Sequence, residues 1–298
     1  MNKRKIILFI VLILSACILL CGCTYKRHYF EKSELGDYTS PYIFLESEEN
    51  GERYFFDLAE SKERFLLDYE KICDFAPNKN AFLFVQEKEG MESICEYDLE
   101  QKQYTYLVDE KYVIENLDLE NDDEFQAVYY YPEEEKISFY YETFLCIYEV
   151  DSKEITKLEL PIEHSTNVYG WLNDKEFLYS DFETIYKVNF ISGDTQEISR
   201  GLGTELVISE DGTTGVSHGN EDWMGMSFSP VLVWDTHDYK VKKYHEADVS
   251  TARIQLSRDK EFIMFGQSNQ ILCMKTDDES ICVIFETDEV IKDILWRG

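Results

Sequence analysis

Short runs of alternating apolar and polar residues, each closed by a polar turn, recur along most of this chain. The clearest example is the stretch Trp171–Ser199, which reads as four strands separated by three turns. Within it, Thr184–Phe190 alternates apolar and polar side chains, which is the pattern of a half-buried strand. Ser192–Asp194 then supplies a hairpin turn whose glycine can adopt a positive φ. The stretch therefore predicts a four-stranded antiparallel unit.

Weaker copies of this unit lie on both sides of it. Their strand-turn-strand segments are Ile72–Val85, Ser93–Val108, Ala127–Tyr141, Phe144–Leu160, Leu206–Ser217, Pro230–Tyr244, Ile254–Phe265 and Gln270–Phe285. The residue just before the last turn of each unit falls at Asp57, Asp98, Asp151, Asn189, Asp235 and Thr276, at intervals of 38 to 53 residues. This spacing is typical of propeller blades with loops of variable length.

The strands at the two ends of the repeat region together make one complete four-stranded unit. Tyr42–Leu66 contains only three strands, whereas Val290–Trp296 is an opening strand with no partners after it. Joining them closes the ring and removes its free sheet edges. We therefore predict an all-β protein, a β-propeller of six four-stranded blades over residues 42–298, closed by N- and C-terminal strands. The alternatives are a seven-bladed ring or another antiparallel β repeat.

The best unit resembles a known class of propeller. Ile185–Gly193, IYKVNFISG, matches the strand and Ser-Gly turn of bacterial TolB or YWTD-like propellers. The resemblance extends loosely over residues 42–296, although most copies lack the glycine. It implies a propeller fold and leaves the function unassigned.

The first 22 residues have the order of an export signal. The basic segment Met1–Lys5 precedes an apolar run, Ile6–Leu20, and the chain turns polar at Thr24. That order predicts a signal peptide over residues 1–22, followed by an anchor and linker over 23–41. An uncleaved helix remains an alternative, at the short end of the length that spans a bilayer.

Two sites in this segment resemble the bacterial lipobox. The first is Leu20–Cys23, and cleavage before Cys23 would remove the whole apolar run. The second is Leu14–Cys17, whose residues before the cysteine fit the lipobox pattern better, so Cys17 is the alternative lipidation site. The resemblance implies a diacylglycerol on the cysteine sulfur, and two or three acyl chains anchor a protein durably. We therefore expect a lipoprotein on the extracytoplasmic face of the cell membrane.

The charge of the chain narrows the classes of partner that it can bind. Sixty acidic residues against 29 basic ones give a net charge of −31, which repels phosphate backbones and disfavours nucleic acid. Aromatic residues make up 15% of the chain, a density that suits half-buried strands.

Five cysteines follow the signal region, and their number is odd. Their spacings fit no metal template, so we expect small buried residues. Bridges between Cys273 and Cys282 or between Cys73 and Cys95 are the alternatives, and the sequence does not choose among them.

Catalytic and metal-binding motifs are absent from the sequence. Gly225–Ser229 departs from the G-x-S-x-G elbow at its last position, and the five histidines lack metal-site spacing. The acidic run Asp118–Glu124 offers oxygen ligands for calcium but lacks the EF-hand glycine, so a solvated loop is favoured. We expect no cofactor, no metal and no enzyme activity. A glycan-active enzyme remains an alternative, because paired carboxylates can act as acid and base.

The loop His218–Ser229 departs most from the repeat. Its candidate ligand-binding residues are Trp223, Asn220, Asp222 and Phe228. An aromatic side chain beside polar groups suits stacking on a sugar or gripping a peptide, and loops on rigid scaffolds often carry function. The alternative is that these side chains pack on the ring's own rim. We expect a binding module for a protein, peptide or glycan, or else a structural or sensory subunit of an envelope complex.

Overall fold

Twenty-six strands, one 3-10 helix and one α-helix are present in the described part of the chain. The computed structural model describes residues 29–38, 41–47, 49–58, 64–76, 79–119, 123–132, 136–160, 166–181, 184–200, 204–209, 211–218, 221–223, 226–228, 230–245 and 254–296. The signal region and the candidate anchors Cys17 and Cys23 lie outside these residues.

The strands form six four-stranded antiparallel sheets, numbered here as blades. Blade 1 joins β1 (Pro41–Glu46), β2 (Arg53–Asp57) and β3 (Phe65–Leu66) to the last strand, β26 (Val290–Trp296). Blade 2 contains β4 (Lys71–Phe75), β5 (Ala81–Lys88), β6 (Met91–Asp98) and β7 (Gln103–Asp109). Blade 3 contains β8 (Gln126–Tyr130), β9 (Lys136–Tyr141), β10 (Phe144–Glu149) and β11 (Ile155–Glu159).

The second half of the ring repeats this plan. Blade 4 contains β12 (Thr166–Trp171), β13 (Glu176–Asp181), β14 (Thr184–Asn189) and β15 (Thr195–Arg200). Blade 5 contains β16 (Thr204–Ile208), β17 (Thr214–His218), β20 (Val231–Asp235) and β21 (Val241–His245), with an extra hairpin of β18 (Glu221–Trp223) and β19 (Met226–Phe228). Blade 6 contains β22 (Gln255–Leu256), β23 (Phe262–Gln267), β24 (Gln270–Lys275) and β25 (Ile281–Glu286).

The innermost strands close the ring. The first strand of each blade contacts the first strand of the next, from β4 through β8, β12, β16 and β22 to β26, which in turn contacts β4. The C-terminal β26 pairs with β1 from Pro41↔Trp296 to Glu46↔Val290. The predicted closure of a six-bladed propeller by both termini is therefore confirmed.

The hydrophobic core is divided among the spaces between blades. Six clusters of buried side chains each combine residues of two neighbouring blades. Strand β5 shows why some strands read as continuous apolar runs. Phe82 and Phe84 face blade 1, whereas Leu83 and Val85 face blade 3, because successive side chains point to opposite faces of a sheet.

Successive strands alternate in direction, so the connections emerge at two ends of the ring. We call the end that joins first to second and third to fourth strands the turn face. The opposite end, the loop face, carries the second-to-third connections and those between blades. The helix α1 (Glu110–Leu117) joins β7 to β8 and lies on the loop face. It begins at Asp109, whose carboxylate accepts a hydrogen bond from the Tyr112 backbone N–H at 2.7 Å.

The turns between third and fourth strands share one conformation. The fourth residue after the strand end has positive φ in five blades, and these residues are Lys102, Lys153, Gly193, Tyr239 and Glu279. The equivalent strand ends in blades 3 and 6 are Glu149 and Lys275. The predicted landmarks Asp151 and Thr276 are therefore wrong, because both lie inside the turn rather than at the strand end.

This turn conformation gives a matched pair of stability predictions. A non-glycine residue with positive φ destabilises the fold by about 1–2 kcal/mol. Glycine avoids this strain but recovers only part of that stability, because it loses more conformational entropy on folding. Lys153→Gly should therefore stabilise the protein by about 0.5–1 kcal/mol, and Gly193→Ala should destabilise it by about 1 kcal/mol. Urea unfolding measures both. Changes of the same sign in the two variants would contradict a shared turn conformation.

The turns between first and second strands link neighbouring blades on the turn face. Lys260 of blade 6 pairs with Asp211 of blade 5 and donates to the Thr213 hydroxyl at 2.7 Å. Burial alone would raise the pKa of Asp211, but hydrogen bonds from Lys260, Ser209 and Thr213 outweigh it and hold this pKa well below its usual range. The ionised form of Asp211 is thus favoured in the folded protein.

That lowered pKa predicts a specific acid sensitivity. The stabilisation is complete above the unfolded pKa of about 4 and is lost as the pH falls through the lower folded value. Asp211→Asn should cost about 1 kcal/mol or less at pH 7, because both partners are partly exposed. The difference from wild type should shrink at about pH 2–3, measured by urea unfolding at both pH values. Asp277→Asn, at an exposed turn carboxylate, is the control, and a difference that persists unchanged in acid would contradict the assignment.

All five cysteines of the described chain are buried with free thiols, as expected for small core residues. Cys73 faces blade 3 and Cys95 faces blade 1, so the alternative bridge between them is wrong. Cys273 and Cys282 are direct cross-strand neighbours, as the hairpin predicted. Burial raises the pKa of Cys95 and Cys146 to about 12, which keeps these thiols protonated.

Candidate functional site

The loop face carries one connection unlike its counterparts in the other blades. Blades 2, 3 and 6 join their second and third strands by the two-residue turns 89–90, 142–143 and 268–269. Blade 5 uses residues 219–230 instead, and this insertion contains the two-stranded hairpin β18–β19. The rigid strands β17 and β20, paired over their full length, hold its two ends together. The insertion therefore places a short antiparallel ribbon on a fixed support.

Three of the four predicted ligand-binding residues fall on this ribbon. Asp222 and Trp223 belong to β18 and pair with Ser227 and Met226, while Phe228 of β19 pairs with Glu221. Asn220 lies outside the described residues, as do the side chains of the ribbon. The structure thus brings three of the four residues together in one backbone ladder. Their role in binding stays a prediction.

A network of carboxylates lies between blades 2 and 3, also on the loop face. Glu92 accepts a hydrogen bond from the Phe125 backbone N–H at 2.6 Å. Glu110 accepts one from the Glu92 backbone N–H at 3.1 Å and another from the Tyr141 hydroxyl at 3.3 Å. These bonds fix the start of α1 and the segment before β8 to the two blades.

Lys71 is the cation of this network. Its ammonium group lies 2.8 Å from the Glu124 carboxylate and 3.9 Å from that of Glu92. Burial raises the pKa of Glu92, although the Phe125 N–H and Lys71 oppose the shift. A hydrogen bond from Lys71 lowers the pKa of Glu124. These carboxylates thus bond to protein groups, and the network serves to join the two blades.

The acidic run singled out in the sequence contributes to the same junction. Asp118 caps the end of α1 with left-handed backbone, and Asp123 accepts a hydrogen bond from the Glu142 backbone N–H at 3.1 Å. Within the part of the chain that the structure describes, no group of three or more His, Cys, Asp or Glu side chains is placed to hold a metal ion. Likewise, no helix among the described residues is long and apolar enough to cross a membrane.

The N-terminal segment before β1 is the feature that sequence reasoning missed. Residues 29–38 lie against blades 6 and 1 at the turn face, where Leu35 is fully buried. Phe30 and Leu35 are single apolar residues in a polar stretch, which is the only trace of this packing in the sequence.

The closed ring of six four-stranded antiparallel blades places the chain in the class of β-propellers. Comparisons with solved structures agree. TolB from Acinetobacter baumannii superposes with a TM-score of 0.66 at 12% identity, covering 88% of this chain and 67% of that one. A chain of the nidogen/laminin complex gives a TM-score of 0.57 at 9% identity, covering 87% and 100%. A candidate TolB from Agrobacterium tumefaciens gives 0.51 at 14% identity, covering 85% and 90%.

These likenesses concern the fold alone, because the identities are low. No protein-family model matches the sequence, and no curated protein matches it either. The predicted resemblance to TolB-like propellers is confirmed at the level of the fold.

Proposed function

We propose that the protein is a lipoprotein of the extracytoplasmic membrane face that binds a protein, peptide or glycan through the loop face of its propeller. The observation that carries the proposal is the ribbon in blade 5, at a position where blades 2, 3 and 6 have two-residue turns. Rigid scaffolds with one elaborated loop are a common arrangement for recognition. One solved structure with this fold is a chain of a nidogen/laminin complex, which supports a binding role.

The anchor rests on the N-terminal sequence. A basic start, an apolar run and Cys23 before a polar chain follow the order of a lipoprotein signal. The full chain has a net charge of −31, which disfavours binding to anionic membranes by charge alone, so attachment would depend on the acyl chains.

The anchor predicts a complete loss of acylation in one variant. Cys23→Ala should abolish acylation, so that the protein either leaves the membrane fraction or remains there as the uncleaved precursor. Incorporation of a labelled fatty acid and mass spectrometry of the N-terminus measure this. Cys17→Ala is the matched control and should leave acylation intact; loss of acylation in that variant alone would move the anchor to Cys17.

Binding is tested with defined probes, namely glycan and peptide arrays presented to the detergent-solubilised, acylated chain. A hit that depends on Trp223 should weaken about tenfold or more in Trp223→Ala, which corresponds to about 1.4 kcal/mol. Ile191→Ala, at a 73% exposed residue on the turn face, is the control and should leave binding unchanged. Equal binding by the wild type and Trp223→Ala would remove the ribbon from the site.

A further inference from the structure

The N-terminal segment Tyr29–Tyr38, here called the strap, is fixed to the ring by backbone contacts. Tyr29 forms a parallel bridge with Ile281, and the Phe30 backbone N–H donates to the Ile281 carbonyl at 3.2 Å. The strap thus begins with a single bridge to the outer edge of β25. It continues as the 3-10 helix Lys32–Tyr38 and leads to β1.

Side chains of the strap strengthen this attachment. Glu34 and Lys275 form an ion pair at 2.7 Å, and the Lys275 ammonium lies 4.7 Å from the centre of the Phe30 ring. Phe30 also packs against Phe262, with ring centroids 6.1 Å apart. Leu35, at 0% exposure, fills the end of the core between blades 6 and 1. The strap is therefore part of the folded domain.

Every one of these contacts lies toward the turn face. Ile281 opens β25 and Lys275 ends β24, and both strands meet at the turn face. Pro41, the start of β1, also lies there, because β1 is the second strand of its blade. Tyr29 consequently leaves the ring at the turn-face rim of blade 6.

The tether between this rim and the predicted anchor is short. Tyr29 follows Cys23 by six positions in the sequence, so a fully extended chain between them spans at most about 20 Å. Lys26 and Arg27 lie within the tether, and basic residues beside an anchor are attracted to anionic lipid.

We propose that the strap holds the propeller with the blade 6 and blade 1 rim of its turn face toward the lipid surface, so that the loop face and its ribbon point away from the membrane. This orientation rests on the proposed lipid anchor at Cys23. Turning the ring over would require the tether to cross the height of a blade. The six-residue strand β24 gives that height as about 20 Å. That height equals the greatest length that the tether can reach, so the loop face could approach the lipid only with the tether at full stretch.

The test compares two labels at opposite ends of β24. Asp277→Cys lies in the turn-face connection of blade 6, and Asn269→Cys lies in its loop-face connection; both residues are exposed. The acylated full chain, carrying a fluorophore at one position, is reconstituted in vesicles whose lipid headgroups bear a nitroxide quencher. The described native cysteines are buried, and the wild-type protein controls for any labelling of them. Quenching at position 277 should exceed that at position 269 severalfold.

A charge reversal separates the strap from the anchor. Glu34→Lys places two cations together and should loosen the strap, so that the difference in quenching falls in part while flotation with the vesicles is unchanged. Adding Lys275→Glu restores opposite charges and should recover the difference. Protein that floats but shows equal quenching at the two positions overturns the orientation alone. Protein that does not float overturns the anchor and the orientation together.

Discussion

A chain that ends at Asp288 should fail to fold as a cooperative unit, because it lacks β26. This strand supplies the innermost position of blade 1, and its side chains enter two core clusters. Ile294 and Trp296 pack between blades 6 and 1, and Leu295 packs between blades 1 and 2. Removal of the strand would open the ring at both interfaces and leave the edge of β1 unpaired.

The size of the effect follows from burial. Ile291, Ile294, Leu295 and Trp296 are each at most 5% exposed. Burying one such side chain contributes about 1.5–3 kcal/mol, so four contribute about 6–12 kcal/mol. Folded domains are stable by about 5–15 kcal/mol, which the loss would largely or entirely remove. The truncated chain should lose its thermal transition in circular dichroism.

Two point variants in the same strand give the control. Ile294→Ala removes a fully buried side chain and should cost about 2–5 kcal/mol. Val290→Ala changes a 38% exposed position at the start of the strand, and its cost should stay near 0.5 kcal/mol. A truncated chain that unfolds at the wild-type temperature would contradict closure of the ring by β26.

The sequence was sufficient for this architecture because strand patterning is local. Alternating residues within Thr184–Phe190 indicate a half-buried strand without reference to anything distant, and the orphan strand Val290–Trp296 implies a partner. The ribbon was predicted only as a loop, because EDW and MSF offer three residues each, too few to show alternation. Its place in blade 5 was predictable from the departure from the repeat.

Contacts between residues far apart in sequence were not predictable in this way. Leu35 and Phe30 meet blade 6 more than 200 residues away, and neither belongs to a periodic pattern. The bond from the Phe125 backbone to Glu92 likewise depends on how two blades meet. The shared turn conformation was hidden for a different reason, since four of its five positions carry residues other than glycine.

Gly215→Ala should be among the most destabilising single substitutions in the protein. Gly215 of β17 lies directly opposite Trp234 of β20, and the indole ring lies over it. A Cβ atom at Gly215 would lie 2.2 Å from Cζ2 and 2.3 Å from Cε2 of Trp234, far inside contact distance. Trp234 is fully buried between blades 4 and 5, so a shift of its ring would displace neighbouring core side chains.

We expect a loss of about 3 kcal/mol, at the upper end of the cost of overpacking a core. Trp234→Leu alone should cost a similar amount, about 3 kcal/mol, because it leaves a cavity. The double variant decides the cause, since alanine at 215 has room once the indole is gone. Its cost should be well below the sum of the two single costs, with a coupling of about 1–3 kcal/mol in urea unfolding. Additive costs would mean that the backbone at Gly215, rather than the indole ring above it, requires glycine there.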